Sequence, residues 1–161
     1  MDEQRWLRQL SRSKALELLG SVSLGRLVFT HQALPAIRPV NHLVEGESVI
    51  VRVTAGAAIT SAAGRGGVVV AYEADAIDAQ TQLGWSVIVV GTARFLTDER
   101  AAARYRARLR PWISGTVDDV ITISADMISG YQMVAGDPAE LGHQAELGHQ
   151  AELGHAAGAS R

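Results

Sequence analysis

The sequence predicts a mainly β protein with small helices, built as an antiparallel barrel. Three observations carry that prediction. Seven or so short runs of β-branched and apolar residues recur along the chain, and most are joined by brief turns. The helical stretches are too few to alternate with strands as a doubly wound sheet requires. At 161 residues, 47% of them hydrophobic, the chain suits one domain around one core.

The elements follow in order. A first helix is expected over Asp2–Leu19, offering Trp6, Leu10, Leu16 and Leu19 for packing, with Gly20 as its C-cap. LGRLVFT (Leu24–Thr30) reads as a strand, and a turn at Gln32–Pro35 leads to a second, AIRPVNHLV (Ala36–Val44). Pro39 inside it points to an edge or irregular position, because proline cannot donate to a ladder. Glu45-Gly46-Glu47 turns the chain into VIVRV (Val49–Val53), and a short helix is expected over Ala55–Ala63. VVVAY (Val68–Tyr72) is almost wholly apolar and should be central. A polar excursion, EADAIDAQTQLG, separates it from the long strand WSVIVVGTARF (Trp85–Phe95), where Gly91 suggests a bulge or bend. Thr97 or Asp98 can cap a helix running to about Leu109, stopped by Pro111. Val120–Ile123 and Ile128–Val134 complete the strands.

Residues 1–136 form the expected domain, its first 20 residues being the N-terminal helix. Residues 137–161 form a low-complexity tail with AELGHQ repeats, expected to be disordered. The repeat spaces His143, His149 and His155 by six residues, which on a helix would point three imidazoles in three directions, so no metal site is expected. The domain carries a net charge of +1 and the tail −3, too little positive charge for a nucleic-acid binder. No apolar run is long enough to span a bilayer, the N-terminus lacks the apolar core of a secretory signal, and cysteine is absent; the setting these features suggest is the cytoplasm.

Familiar catalytic signatures are missing. GRGG (Gly64–Gly67) precedes a strand, whereas a dinucleotide fingerprint would follow one, and there is neither a phosphate loop nor a nucleophile-elbow serine. His31 reads as a solvated turn residue and His42 as a packed or hydrogen-bonded core histidine. The arginines of the helix after Asp98 read as a solvated face pairing with acids. Three segments are more informative. IRPVN (Ile37–Asn41) interrupts a strand with groups that need polar partners. RVTAGAAI (Arg52–Ile59) runs from a strand into a helix start that could face a phosphate. GWSVIVVG offers the flat face of Trp85 either to a ligand or to core and subunit packing.

Together GRLVFT, LPAIRPVNHLV, VVVAYEAD, GWSVIVVGTA and LRPW, in this order and spacing, resemble the pyridoxamine 5'-phosphate oxidase-like flavin-binding split barrels, in particular their small actinobacterial members. The resemblance covers roughly residues 13–134. It implies a six-stranded antiparallel split barrel that forms a homodimer and holds FMN, or a deazaflavin coenzyme in some branches, between the subunits. By the same resemblance Arg38, Pro39, Val40 and Asn41 would border the ring and ribityl chain, and Arg52, Val53 and Thr54 would lie along the phosphate side. Trp85 and Ser86 would reach the cofactor from the partner subunit, with Trp112 a further candidate. The activity implied is hydride transfer to or from a small organic substrate, the flavin doing the redox chemistry. The sequence departs from the family pattern in two places. Ala57 and Ala58 stand where relatives carry a phosphate-binding Lys, and TISADMISGYQM lacks the Trp- and Arg-bearing end of true pyridoxamine phosphate oxidases. Vitamin B6 oxidation is therefore not expected. The alternatives are a non-catalytic flavin-binding or sensing module, or a barrel that has lost its cofactor.

Overall fold

A computed structural model describes residues 5–54, 58–63, 66–110 and 118–136. Its elements, in chain order, are β1 (Arg5–Gln9), α1 (Arg12–Gly20), β2 (Leu24–His31), β3 (Leu34–Glu45), β4 (Ser48–Thr54), α2 (Ala58–Ala63), β5 (Val68–Ile77), β6 (Gly84–Phe95), α3 (Glu99–Arg108), β7 (Asp118–Ser124) and β8 (Met127–Ala135). The strand order is β1-β8-β6-β5-β2-β3-β4-β7, and β7 also pairs back onto β6. Strands β2 to β7 thus close a six-stranded antiparallel barrel, while β8 and β1 extend from β6 as a flap.

The split in the barrel follows from β6, which has two partners on one edge. Gly84–Val90 pair with β8, and Ala93–Phe95 pair with β7. Between them a Cβ at Gly91 would lie 1.6 Å from the carbonyl oxygen of Ser124, so only glycine lets the β7–β8 corner come this close. The bend expected at Gly91 is this changeover. Alternating residues Leu27, Phe29, Val49, Val51, Tyr72, Val87, Val89, Ile121 and Ile123 face inward and form the main core, joined by Ala15 and Leu19 of α1 and Ile59 of α2. A second cluster of Ile50, Ala102, Leu109 and Val120 lies where α3 packs on the outer side of β4 and β7.

Several sequence expectations change. The first helix is not continuous: Arg5–Gln9 is a strand antiparallel to β8, and the helix starts only after Ser11, whose hydroxyl accepts from the Lys14 N–H. The turn expected at Gln32–Pro35 is a two-residue hairpin loop, Gln32-Ala33, with both residues left-handed (φ 50° and 61°), and β3 begins at Leu34. The first five residues of the polar excursion after Tyr72 are strand, since β5 runs to Ile77 and puts Ala74 in the core. Asp98 is the α3 cap, accepting from the N–H groups of Arg100 and Ala101. Trp112 and the AELGHQ repeats lie outside the described residues. Among the described residues no helix is long and apolar enough to cross a membrane, and no group of three or more His, Asp or Glu could hold a metal.

Candidate functional site

Strands β3 and β4 stay paired only from Glu45–Ser48 to His42–Val51. Beyond that point they part. Residues 34–41 of β3 keep only β2 as a ladder partner, and residues 52–54 of β4 keep only β7. The two polar segments singled out from sequence, Arg38–Asn41 and Arg52–Thr54, therefore flank the same opening. Pro39 sits on the free edge, where a missing N–H costs no hydrogen bond.

The C-terminal end of α3 is tied to both sides of this opening. Arg52 lies on the outer face of β4, and its Nε and Nη2 reach Asp118 Oδ2 at 2.6 and 2.5 Å. Its Nη1 donates to the carbonyls of Leu109 (2.9 Å) and Arg106 (3.2 Å). Asn41 Nδ2 donates to the Arg110 carbonyl at 2.7 Å. Both donors thus satisfy carbonyls that a helix end leaves unpaired. Among the described residues, Asn41 Oδ1 is buried without a partner.

The other predicted residues divide by strand face. Arg38 is exposed, and among the described residues its guanidinium reaches only the Ile37 carbonyl, at 2.8 Å. Val40 is half-buried and its carbonyl faces the Tyr72 hydroxyl at 3.2 Å. Val53 points into the core, and Thr54 is exposed at the end of β4. Trp85, 8% exposed, belongs to the core of its own chain. Ser86 faces the opposite way, in one row with Asp75 and Tyr131. The structure therefore brings Arg38, Pro39, Asn41, Arg52 and Thr54 around the opening and leaves Trp85 and Ser86 on a different part of the sheet.

Sequence reasoning missed three features. The first is the pair His42–Tyr72, both fully buried. His42 Nε2 donates to the Leu19 carbonyl at 2.7 Å, which leaves Nδ1 to accept from the Tyr72 hydroxyl at 2.8 Å. Burial pushes the imidazole below its ordinary pKa and the phenol well above its own. The ring of Tyr72 lies over Gly25, where a Cβ would come within 2.4 Å of the hydroxyl. The second feature is a cavity of about 630 Å³ lined by Gly20–Leu24, Arg26, His42, Leu43, Val44, Asp75 and Arg108, within the size range of small-molecule sites. None of the nine residues expected at the cofactor lines it, but it adjoins Asn41, whose ladder partner is Leu24. The third is the outer face of the sheet. Register places Ile37, Val28, Ala71, Val90 and Met127 in one row and Pro39, Arg26, Glu73, Ile88 and Ser129 in the next. Exposed Val69, Ile77, Tyr131 and Leu7 continue this face.

Comparison with known proteins agrees with this architecture. A protein of Mycobacterium tuberculosis described as uncharacterised is 45% identical over 130 residues, which is 79% of this chain and 86% of the relative. The structure of an FAD-binding protein from Mycobacterium smegmatis is 31% identical, covers 79% of this chain and 98% of its own, and superposes with a TM-score of 0.60. A candidate pyridoxamine 5'-phosphate oxidase of Corynebacterium glutamicum is 28% identical over 81% of this chain and 96% of its own, with a TM-score of 0.65. The model of the pyridoxamine 5'-phosphate oxidase family matches residues 11–143, and with the split barrel and the opening beside Asn41 this makes the chain a member of that family, sharing its flavin-binding fold.

Proposed function

We propose that the protein is a homodimeric flavin-dependent oxidoreductase that transfers hydride to or from a small organic substrate. The observation that carries this reading is the free edge of β3. It presents an exposed Arg38, with no carboxylate partner among the described residues, three positions from the unsatisfied Oδ1 of Asn41. The 31% identity to an FAD-binding protein adds FAD to FMN and deazaflavin as forms of the cofactor.

The residues fit a flavin unevenly. Arg38 is free to swing from the Ile37 carbonyl and would donate to ring oxygens, steadying negative charge on the ring. Pro39 and Val40 would supply the apolar wall, and Thr54 a hydroxyl. Arg52 already meets Asp118 and two carbonyls, so a phosphate would have to compete for it; its part is to hold the end of α3 beside the slot. With Ala57 and Ala58 in the sequence where relatives carry a Lys, the phosphate side is short of cations. A bound flavin supplies the hydride chemistry, and the chain's own task is to orient the ring and leave one face open.

The exposed outer face supports the dimer. Leu7, Ile37, Val69, Ile77, Ile88, Met127 and Tyr131 are each 40–69% exposed. Together they offer roughly 700 Å², close to the ~800 Å² each partner gives a standard interface. A second reading, flavin binding without turnover, is favoured by the occupied Arg52. Side-by-side titration with FMN, FAD and deazaflavin, followed by a reductant and then an acceptor, separates the two. Binding with bleaching and reoxidation supports the oxidoreductase, binding without turnover the module, and no uptake of any of the three overturns both.

A further inference from the structure

Near the middle of the outer sheet face one cation serves two acids. Arg26 Nη1 lies 2.8 Å from Glu73 Oε2 and 3.0 Å from Asp75 Oδ2. Glu73 and Asp75 alternate along β5, so both carboxyls stand on the same face and share the one guanidinium of Arg26. One guanidinium facing two carboxylates leaves a net negative charge at this spot. Their side chains are only 24% and 33% exposed, and their neighbours across the ladder bring no further charge: Pro39 beside Arg26, Ile88 beside Glu73, Ser86 beside Asp75. Beyond Ser86 stands the phenol of Tyr131. Across the cavity Arg108 is the other charged group, and it is engaged with Glu45.

Apolar side chains surround this triad, and the occupant they fit is a second copy of the chain, through the same face on both. We infer that association of two copies through this face takes up a proton at Glu73 of each copy, so that the dimer tightens as the pH falls. The inference rests on the homodimer proposed above. Burial already raises the Glu73 pKa in the single chain, against the pull of Arg26. An apolar face laid over the triad removes more water, and desolvation disfavours the charged carboxylate. The dimer therefore binds this proton more tightly than the monomer does. By linkage, association strengthens as pH falls and weakens as pH rises through the raised Glu73 range.

The test is the dimer dissociation constant of the full chain, followed by fluorescence-detected sedimentation between about pH 8 and about pH 5, a span that brackets a raised carboxyl. Wild type should tighten by about tenfold or more across it, as a shift of one pKa unit on association implies. Glu73→Gln, a neutral isostere, should dimerise at the upper pH as tightly as wild type does at the lower, and with little pH dependence. Asp75→Asn leaves Arg26 a single carboxylate and should behave alike, which keeps the test open if Glu73→Gln fails to fold. A pH-independent wild-type dimer, or a variant that keeps the wild-type slope, overturns the inference and leaves the homodimer standing. A monomer at every pH overturns both.

Discussion

A neutral histidine buried against a tyrosine is sensitive to the loss of one atom. Tyr72→Phe removes the donor to His42 Nδ1 and leaves that nitrogen buried and unpaired. It should cost about 1–3 kcal/mol in urea unfolding. Protonation acts on the same contact. Burial holds His42 below its ordinary pKa, so the unfolded chain takes up a proton near about pH 6.5 while the folded one resists. The stabilising term is therefore complete above that pH and lost as pH falls below it, with a slope of at most about 1.4 kcal/mol per pH unit. Unfolding free energies measured down to about pH 5 should show this fall, and His42→Gln should flatten it. Arg38 should behave in the opposite manner. Exposed and bonded, among the described residues, only to its neighbour's carbonyl, it contributes little to folding. Arg38→Ala should leave the apo-protein's Tm nearly unchanged and weaken flavin binding by about tenfold or more, the worth of a charge-assisted contact, read by titration. An apo-protein that unfolds readily would make Arg38 structural. The core role of His42 was legible from its place on an apolar strand. Its partners were not, because Leu19 and Tyr72 lie 23 and 30 residues away and nothing local marks them.

Among the elements, α3 depends most on a single pair. Its C-terminal carbonyls are held by Arg52, which is held in turn by Asp118, and the two side chains are 17% and 6% exposed. Asp118→Ala leaves a largely buried guanidinium without its carboxylate and should cost roughly 3 kcal/mol, as breaking a buried pair does. Faster amide exchange at the last turn of α3 would show where the loss falls. Sequence reading could not see this use of Arg52, since Asp118 is 66 residues away. It did place the helix and narrowed its cap to Thr97 or Asp98, of which the structure uses Asp98, because a cap acts over two or three residues. The same contrast explains β1. RWLRQ has little intrinsic strand preference and reads as the start of a helix, but pairing with β8 decides its conformation. The strand extension EADAI was missed because acids and alanines alternate there, a weak signal until Ala74 is seen in the core.

At the scale of the molecule, the closed ladder from β2 to β7 was legible as a barrel from strand number and turn length, and its flavin-binding type from five motifs in register. The opening between β3 and β4 was foreshadowed by Pro39. The dimer remains a proposal with a direct check. Ile88 is 43% exposed in the middle of the outer face. Ile88→Lys should shift the sedimenting species from dimer to monomer with the far-UV circular dichroism unchanged, because the substitution buries a charge only when two faces meet. Flavin affinity should fall with it, since the proposed slot is completed by the partner.

The pairing of Arg5–Gln9 with Tyr131–Ala135 joins segments that are made at opposite times during synthesis. The ribosome releases the first strand long before its mate exists, so the flap is assembled last, after the barrel it hangs from. Until then Trp6, whose indole finally donates to the Gly136 carbonyl, has no seat. The nascent chain must therefore carry an unshielded aromatic until Tyr131–Ala135 is made, and protease sensitivity confined to this margin is the trace such a history would leave.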